Sequence, residues 1–244
     1  MSDLLDCTDP GTRAMAISAA ARAVSAGSVV VLPTDTLYGI GADAFNPAAV
    51  TSLLAAKGRG RDMPVPVLVG SWHTIDGLVS AVSGQARDLI EAFWPGALTM
   101  VVEHAPSLAW DLGDARGTVA VRMPLHPVAL ELLAQTGPMA VSSANITSMP
   151  PAVTAQQAYE QLGESVSVYL DGGEAPAGRP STIVDLTGPV PVLLRQGAVG
   201  VHQLREVLGE LEVPGQLEVP GESTVPGELE VPGPPTRPGG GGAG

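Results

Sequence analysis

Aromatic side chains are scarce in this 244-residue chain: two phenylalanines, three tyrosines and three tryptophans, 3% of the total. Hydrophobic residues still make up 45%, so a core must be built mainly from valine, leucine and alanine. A single cysteine, Cys7, excludes an intrachain disulfide framework and any cysteine-based zinc cluster. Lysine is almost absent, with Lys57 alone beside eleven arginines. Basic residues as a whole are few: 12 against 25 acidic, for a net charge of -13. Such a chain is a poor general binder of nucleic acid, because phosphate neutralisation by Lys and Arg supplies most non-specific affinity. No uncharged apolar run approaches the roughly 18 to 20 residues needed to cross a bilayer. The first ten residues carry Asp3, Asp6 and Asp9 and no cation, the opposite of a signal peptide's start. These absences predict a soluble cytoplasmic chain without a membrane partner.

Chemical motifs are missing too. There is no G-x-x-x-x-G-K-[ST] phosphate loop and no G-x-S-x-G nucleophile elbow. His73, His104, His126 and His202 are scattered without metal-ligand spacing, so no metal held by protein side chains is expected. The run Gly39 to Ala44 matches the relaxed dinucleotide pattern G-x-G-x-x-A. That pattern must sit at a strand end and open a helix. Here the segment 33–38 intervenes after the strand and a separate cap at Asn46 opens the helix, which argues against a nicotinamide cofactor.

What is present divides the chain in two. Val-Pro-Gly recurs at 213, 219, 225 and 231, and seven acidic residues against one arginine fall between 206 and 244. Repeated prolines and the lack of aromatics leave little to offset ordering entropy, so 211–244 reads as a disordered low-complexity tail. The rest, 1–210, reads as a single α/β domain: an open, twisted, mixed β-sheet with flanking helices. Helices are expected over 12–26, 47–57, 85–93, 126–135, 154–162 and 201–208. Strands are expected over 28–33, 65–69, 98–103, 118–123, 139–142 and 166–170, followed by a hairpin of 182–186 and 190–195 around Thr187-Gly188-Pro189.

Polar segments follow or sit on those strands, where α/β proteins bind ligands. Residues 33–39 put Thr34, Thr36 and Tyr38 directly after a buried strand. Lys57, Arg59 and Arg61 place three of the twelve cations within five residues at a helix end. Lysine as a point charge and arginine as a fork could clamp a polyphosphate, although cations also suit a helix C-terminus or a solvated loop. Along 118–122, Thr118, Ala120 and Arg122 share one face, and an arginine on an apolar strand requires an anion, from a ligand or from the protein. Ser142 to Asn145 follows another strand; Ser181-Thr182 and Arg195 to Gly197 add further hydroxyls and a cation.

In this order the segments resemble the YrdC-like family of threonylcarbamoyl-AMP synthases. The resemblance is carried by P-T-D-T-x-Y-G (33–39), K-x-R (Lys57, Arg59), Pro95-Gly96 before a strand with Thr99, and T-V-A-V-R-x-P (118–124). It continues through S-A-N (143–145), S-T-I-V-D (181–185) and L-R-x-G-A (194–198), spanning roughly 12–208. It implies a YrdC-like fold with a concave, positively lined cavity. The implied activity joins L-threonine, bicarbonate and ATP into threonylcarbamoyl-AMP with release of pyrophosphate, for threonylcarbamoyladenosine modification of tRNA. Mg²⁺ would accompany ATP, bicarbonate would be a substrate, and tRNA and downstream threonylcarbamoyl-transfer proteins are further partners. Carried over position by position, Thr36, Arg122 and Ser181 would contact L-threonine. Lys57, Arg59, Thr118, Ser143, Asn145 and Arg195 would hold ATP, with Lys57, Arg59 and Arg195 offsetting charge and no side chain assigned as nucleophile or general base. The family's Lys-x-Arg is usually followed by proline, whereas Gly60 to Met63 follows here. Two other readings compete: a module binding double-stranded RNA or tRNA without catalysis, and a carbamoyl-adenylate-forming relative.

Overall fold

Residues 2–215 are described by the computed structural model of the chain. Ten strands form one mixed sheet in the order β1-β8-β2-β3-β7-β4-β6-β5-β9-β10. In chain order these are β1 (Asp3–Asp6), β2 (Val30–Leu32), β3 (Gly39–Asp43), β4 (Val67–Leu68), β5 (Leu98–Glu103), β6 (Thr118–Arg122), β7 (Met139–Ser143), β8 (Val168–Asp171), β9 (Thr182–Asp185) and β10 (Val192–Arg195). The pairs β1–β8, β8–β2, β4–β6 and β5–β9 are parallel and the others antiparallel. Seven α-helices flank the sheet among the described residues: α1 (Pro10–Ser25), α2 (Pro47–Lys57), α3 (Ile75–Leu78), α4 (Gly84–Phe93), α5 (Pro127–Thr136), α6 (Ala155–Leu162) and α7 (Val201–Leu208).

Helix starts follow local chemistry. Asn46 accepts from the amides of Ala48 and Ala49 with Pro47 in the first turn, and Asp9, Ser83 and Thr154 cap α1, α4 and α6 in the same manner. Gly58 ends α2 at φ +59. This left-handed turn, which suits glycine, redirects the chain straight into Arg59.

The two faces of the sheet are covered unequally, and that inequality makes the site. Alternate residues of the central strands, including Ile40, Val67, Met100, Val121 and Val184, pack into one large core. On the opposite face, Leu32, Leu68, Met139, Val141 and Leu170 pack with Ile17 and Val24 of α1 and Val128 and Leu132 of α5. Those two helices cover the β1-β8-β2-β3-β7-β4 side of that face. Across β6, β5, β9 and β10 no helix among the described residues lies over the same side of the sheet, and there hydroxyls and arginines stand among the aliphatic side chains.

The expected helices and the 182–186/190–195 hairpin are present with shifts of a few residues at their ends. Two strands were not anticipated. β1 is an exposed edge strand, and β3 occupies the glycine-rich run that had resembled a dinucleotide loop. Gly39 and Gly41 serve packing: an added Cβ would lie 2.6 Å from Val141 Cγ1 or 2.9 Å from Met139 Cε on neighbouring β7. The Val-Pro-Gly tail lies outside the described residues from 216 onward. Before it, Leu211 is buried and Glu212 bridges to Val192, so pairing continues past the domain end expected at 210.

Candidate active site

The uncovered half-face is the floor of a cavity of about 480 Å³. Its period-2 geometry is direct: Thr118, Ala120 and Arg122 of β6, Thr99 and Val101 of β5, and Ser181 and Ile183 at β9 line it. Their neighbours Val119, Val121, Leu98, Met100 and Val184 point into the core behind. On β10 the register shifts between Leu193 and Arg195, and consequently Leu194 and Arg195 both reach the cavity. Segments 34–39, 64–66 and 141–145 supply further wall.

Three arginines meet there, each held by the protein in a different way. Arg59 donates Nε to Met63 O (3.0 Å), Nη2 to Pro64 O (3.0 Å) and Nη1 to Ser142 Oγ (2.9 Å). Arg195 donates Nε to the Ser181 carbonyl and Nη2 to its hydroxyl, both at 3.0 Å. Arg122 donates Nε to Gly96 O (2.9 Å), Nη1 to Thr36 Oγ1 (2.8 Å) and Nη2 to Asp35 Oδ1 (2.5 Å). The anion required by the buried Arg122 is thus the protein's own Asp35, which also accepts from the Leu125 amide at 2.9 Å. Two of the five Arg122 N–H groups remain uncommitted.

Burial pulls all three guanidinium groups below their ordinary pKa, with Asp35 opposing at Arg122 and Asp62 at Arg59. At Arg195 the charges of Arg122 and Arg59 add to the same effect, so the three cations repel one another across the cavity. Among the described residues no Asp, Glu, His, Cys or Lys lines the space. Asp35 balances Arg122, while Arg59 and Arg195 are held by carbonyls and hydroxyls alone, so the cavity keeps an excess of positive charge that suits an anionic ligand.

The hydroxyls are ordered around those cations. Thr34 Oγ1 donates to Leu37 O (2.6 Å) and accepts from the Thr36 and Leu37 amides, fixing the β2–β3 turn. Thr36 Oγ1 is thereby aimed at Arg122. Thr99 Oγ1 and Ser181 Oγ pair at 2.8 Å, and Thr118 Oγ1 donates to Ala115 O at 2.7 Å. The Ser143 hydroxyl makes no hydrogen bond within the described residues.

Eight of the nine residues singled out from the sequence therefore face one space: Thr36, Arg59, Thr118, Arg122, Ser143, Asn145, Ser181 and Arg195. Lys57, expected to touch the nucleotide, does not line it. Its Nζ donates to Ser143 O (2.5 Å), Asn145 O (2.7 Å) and Asn145 Oδ1 (3.3 Å), and its own carbonyl accepts from the Thr147 amide. The physical reason is burial: Lys57 is only 2% exposed, so its ammonium must spend its donors on the acceptors within reach. Burial, with the Arg59 charge adding, lowers its pKa to about 8. Asn145 is turned the same way, donating Nδ2 to Ile146 O and Met149 O. Sequence reasoning missed Asp35 as the Arg122 partner and Ser142 as the Arg59 partner. The signal for the first was an acid three residues beyond the buried strand β2, in a chain whose strand β6 carries a lone arginine.

Comparison with known proteins places these observations in a lineage. The Sua5/YciO/YrdC family model, described as "Telomere recombination", matches residues 22–197. A protein of Mycobacterium tuberculosis is 62% identical over 209 residues, covering 86% of this chain and 96% of that one. The threonylcarbamoyl-AMP synthase of Pyrococcus abyssi is 36% identical over 198 residues, covering 81% of this chain and 58% of that one. The crystal structure of Pyrococcus abyssi Sua5 complexed with L-threonine is similar with a TM-score of 0.82 and 33% identity, over 87% of this chain and 62% of that chain.

Proposed function

This chain belongs to the Sua5/YciO/YrdC family, and from that premise we propose that it is a threonylcarbamoyl-AMP synthase, joining L-threonine, bicarbonate and ATP and releasing pyrophosphate. The product supplies threonylcarbamoyladenosine modification of tRNA. The single observation that carries this reading is the convergence of Arg59, Arg122 and Arg195 on a cavity free of carboxylates.

The chemistry demands such a site. A carbamate formed from the threonine amine and bicarbonate must attack the α-phosphorus of ATP through its oxygen, and pyrophosphate leaves. Both reactants are anions, so the protein's task is to hold them together and offset charge. Arg59 and Arg195 take phosphate oxygens, with Thr118, Ser143 and Asn145 along the nucleotide. Arg122, with its two free N–H groups, takes the threonine carboxylate beside Thr36 and Ser181. Arginines and hydroxyls suit phosphate oxygens and do not suit a divalent cation, which prefers carboxylates. Mg²⁺ would therefore enter on the ATP phosphates. Lys57 acts from behind, fixing the Ser143–Asn145 loop. Among the described lining residues no Ser or Thr hydroxyl is hydrogen-bonded to a histidine, lysine or carboxylate that could activate it, so the reaction proceeds without a covalent enzyme intermediate.

Incubating the purified chain with ¹³C-bicarbonate, threonine and ATP and analysing the product by mass spectrometry tests the reading. Threonylcarbamoyl-AMP carrying one heavy carbon is expected; ATP consumption without that adduct would refute it.

A further inference from the structure

Two neighbouring loops that both contribute to the cavity wall are tied together behind it, chiefly at one residue. The first, 58–66, carries Arg59, and its Met63 and Pro64 carbonyls hold the Arg59 guanidinium. The second, 111–118, carries Leu112, Ala115 and Thr118 of the wall. Arg61 joins them through side chain and backbone at once. Its Nη2 donates to Asp111 Oδ1 at 2.5 Å, its Nε lies 3.8 Å from Asp114 Oδ1, and its carbonyl accepts from the Asp114 amide at 2.9 Å. Gly113 sits so close beneath that an added Cβ would lie 2.8 Å from Arg61 O, at a φ of +102. A second tie, Val65 N to Leu112 O at 2.9 Å, lies one turn of the loop further on.

We propose that Arg61 is a positioning residue for the nucleotide end of the cavity: by clamping loop 58–66 to loop 111–118 it fixes the carbonyls that aim Arg59 and the segment that presents Thr118. Arg61 itself does not line the cavity and touches no substrate. It acts through Arg59. The three charged side chains are 42 to 64% exposed, so the effect is modest and sensitive to salt. Arg61 is raised and Asp111 lowered in pKa, chiefly by their mutual hydrogen bond, in keeping with a formed pair.

The inference rests on the reading of this cavity as an ATP site, and direct ATP titration separates the two. If the wild-type chain binds no ATP, both fail. If it does, Arg61→Gln and Asp111→Asn are each expected to weaken ATP affinity about 2- to 5-fold at low salt, leaving the threonine KM and kcat within about twofold. The double variant should be no worse than either single one, because both remove the same tie. The charge swap Arg61→Glu with Asp111→Arg should restore affinity, and the gap between wild type and variants should close in high salt. Hydrogen exchange should accelerate at the Val65 and Asp114 amides in the single variants. Unchanged ATP affinity in Arg61→Gln, or equal loss for ATP and threonine, overturns the proposal.

Discussion

Arg122 shows how one side chain serves the fold and the ligand together. It is 6% exposed and bonded to Gly96, Thr36 and Asp35, yet it lines the cavity and has two N–H groups uncommitted. Lysine at this position retains the charge but lacks the planar fork. Arg122→Lys is expected to raise the threonine KM roughly tenfold or more, while ATP affinity, read by titration, stays within about threefold. Equal loss for both ligands would remove Arg122 from the threonine end. Lys57 makes a contrasting case, because its charge is committed to a loop. Below pH 8 the ammonium donates to three acceptors; as pH rises through about 8 it loses a proton and the tie to the Ser143–Asn145 loop weakens. ATP affinity should fall across that interval, and Lys57→Met should be weaker at all pH values without that step. Stability runs the other way. Between about 8 and the ordinary 10.5 the unfolded chain binds more protons at this site than the folded chain, so the Lys57 contribution to the unfolding free energy rises with pH. A pH-independent wild-type affinity from 7 to 9 would contradict the assigned role.

At the scale of elements, what could be read from sequence was what local periodicity encodes. Asn46-Pro47 and Gly58 bracket α2, 98–103 reads as a strand, and 118–122 reads as a strand with Thr118, Ala120 and Arg122 on the correct shared face. β3 escaped because its glycines mimic a phosphate loop, while their purpose is close approach to Val141 and Met139 of a strand nearly one hundred residues later. β1 escaped because Asp3 and Asp6 flank two leucines in a short edge strand with little burial. The bulge in β10 was likewise invisible, although it puts Leu194 and Arg195 on the same side. Gly197 follows that bulge, where an added Cβ would lie 2.5 Å from Ser181 O and also against the Pro180 carbonyl. Gly197→Ala must displace backbone, so a loss of about 1 to 3 kcal/mol in urea unfolding is expected, with reduced activity as Arg195 and Ser181 shift. A variant with wild-type stability and turnover would mean that this contact does not fix the cavity wall.

For the whole molecule, the site follows from a sheet that is wider than the helices covering one of its faces. α1 and α5 bury the aliphatic side; on the other side three arginines and a set of hydroxyls stand among the aliphatic side chains. A net charge of -13 coexists with this basic hollow because, among the described residues, no acid lines it and Asp35 reaches only the bound side of Arg122. That segregation is what sequence order could suggest, since the polar segments recur after successive strands. It could not supply the partnerships, such as Asp35 with Arg122 or Ser142 with Arg59, which depend on contacts more than eighty residues apart. The hollow's purpose, to bring a carboxylated amino acid against a triphosphate, is tested most directly by pyrophosphate release with each reactant withheld in turn. The account predicts release only when threonine, bicarbonate and ATP are all present. Equal release from ATP alone, or none with the complete mixture, would contradict it.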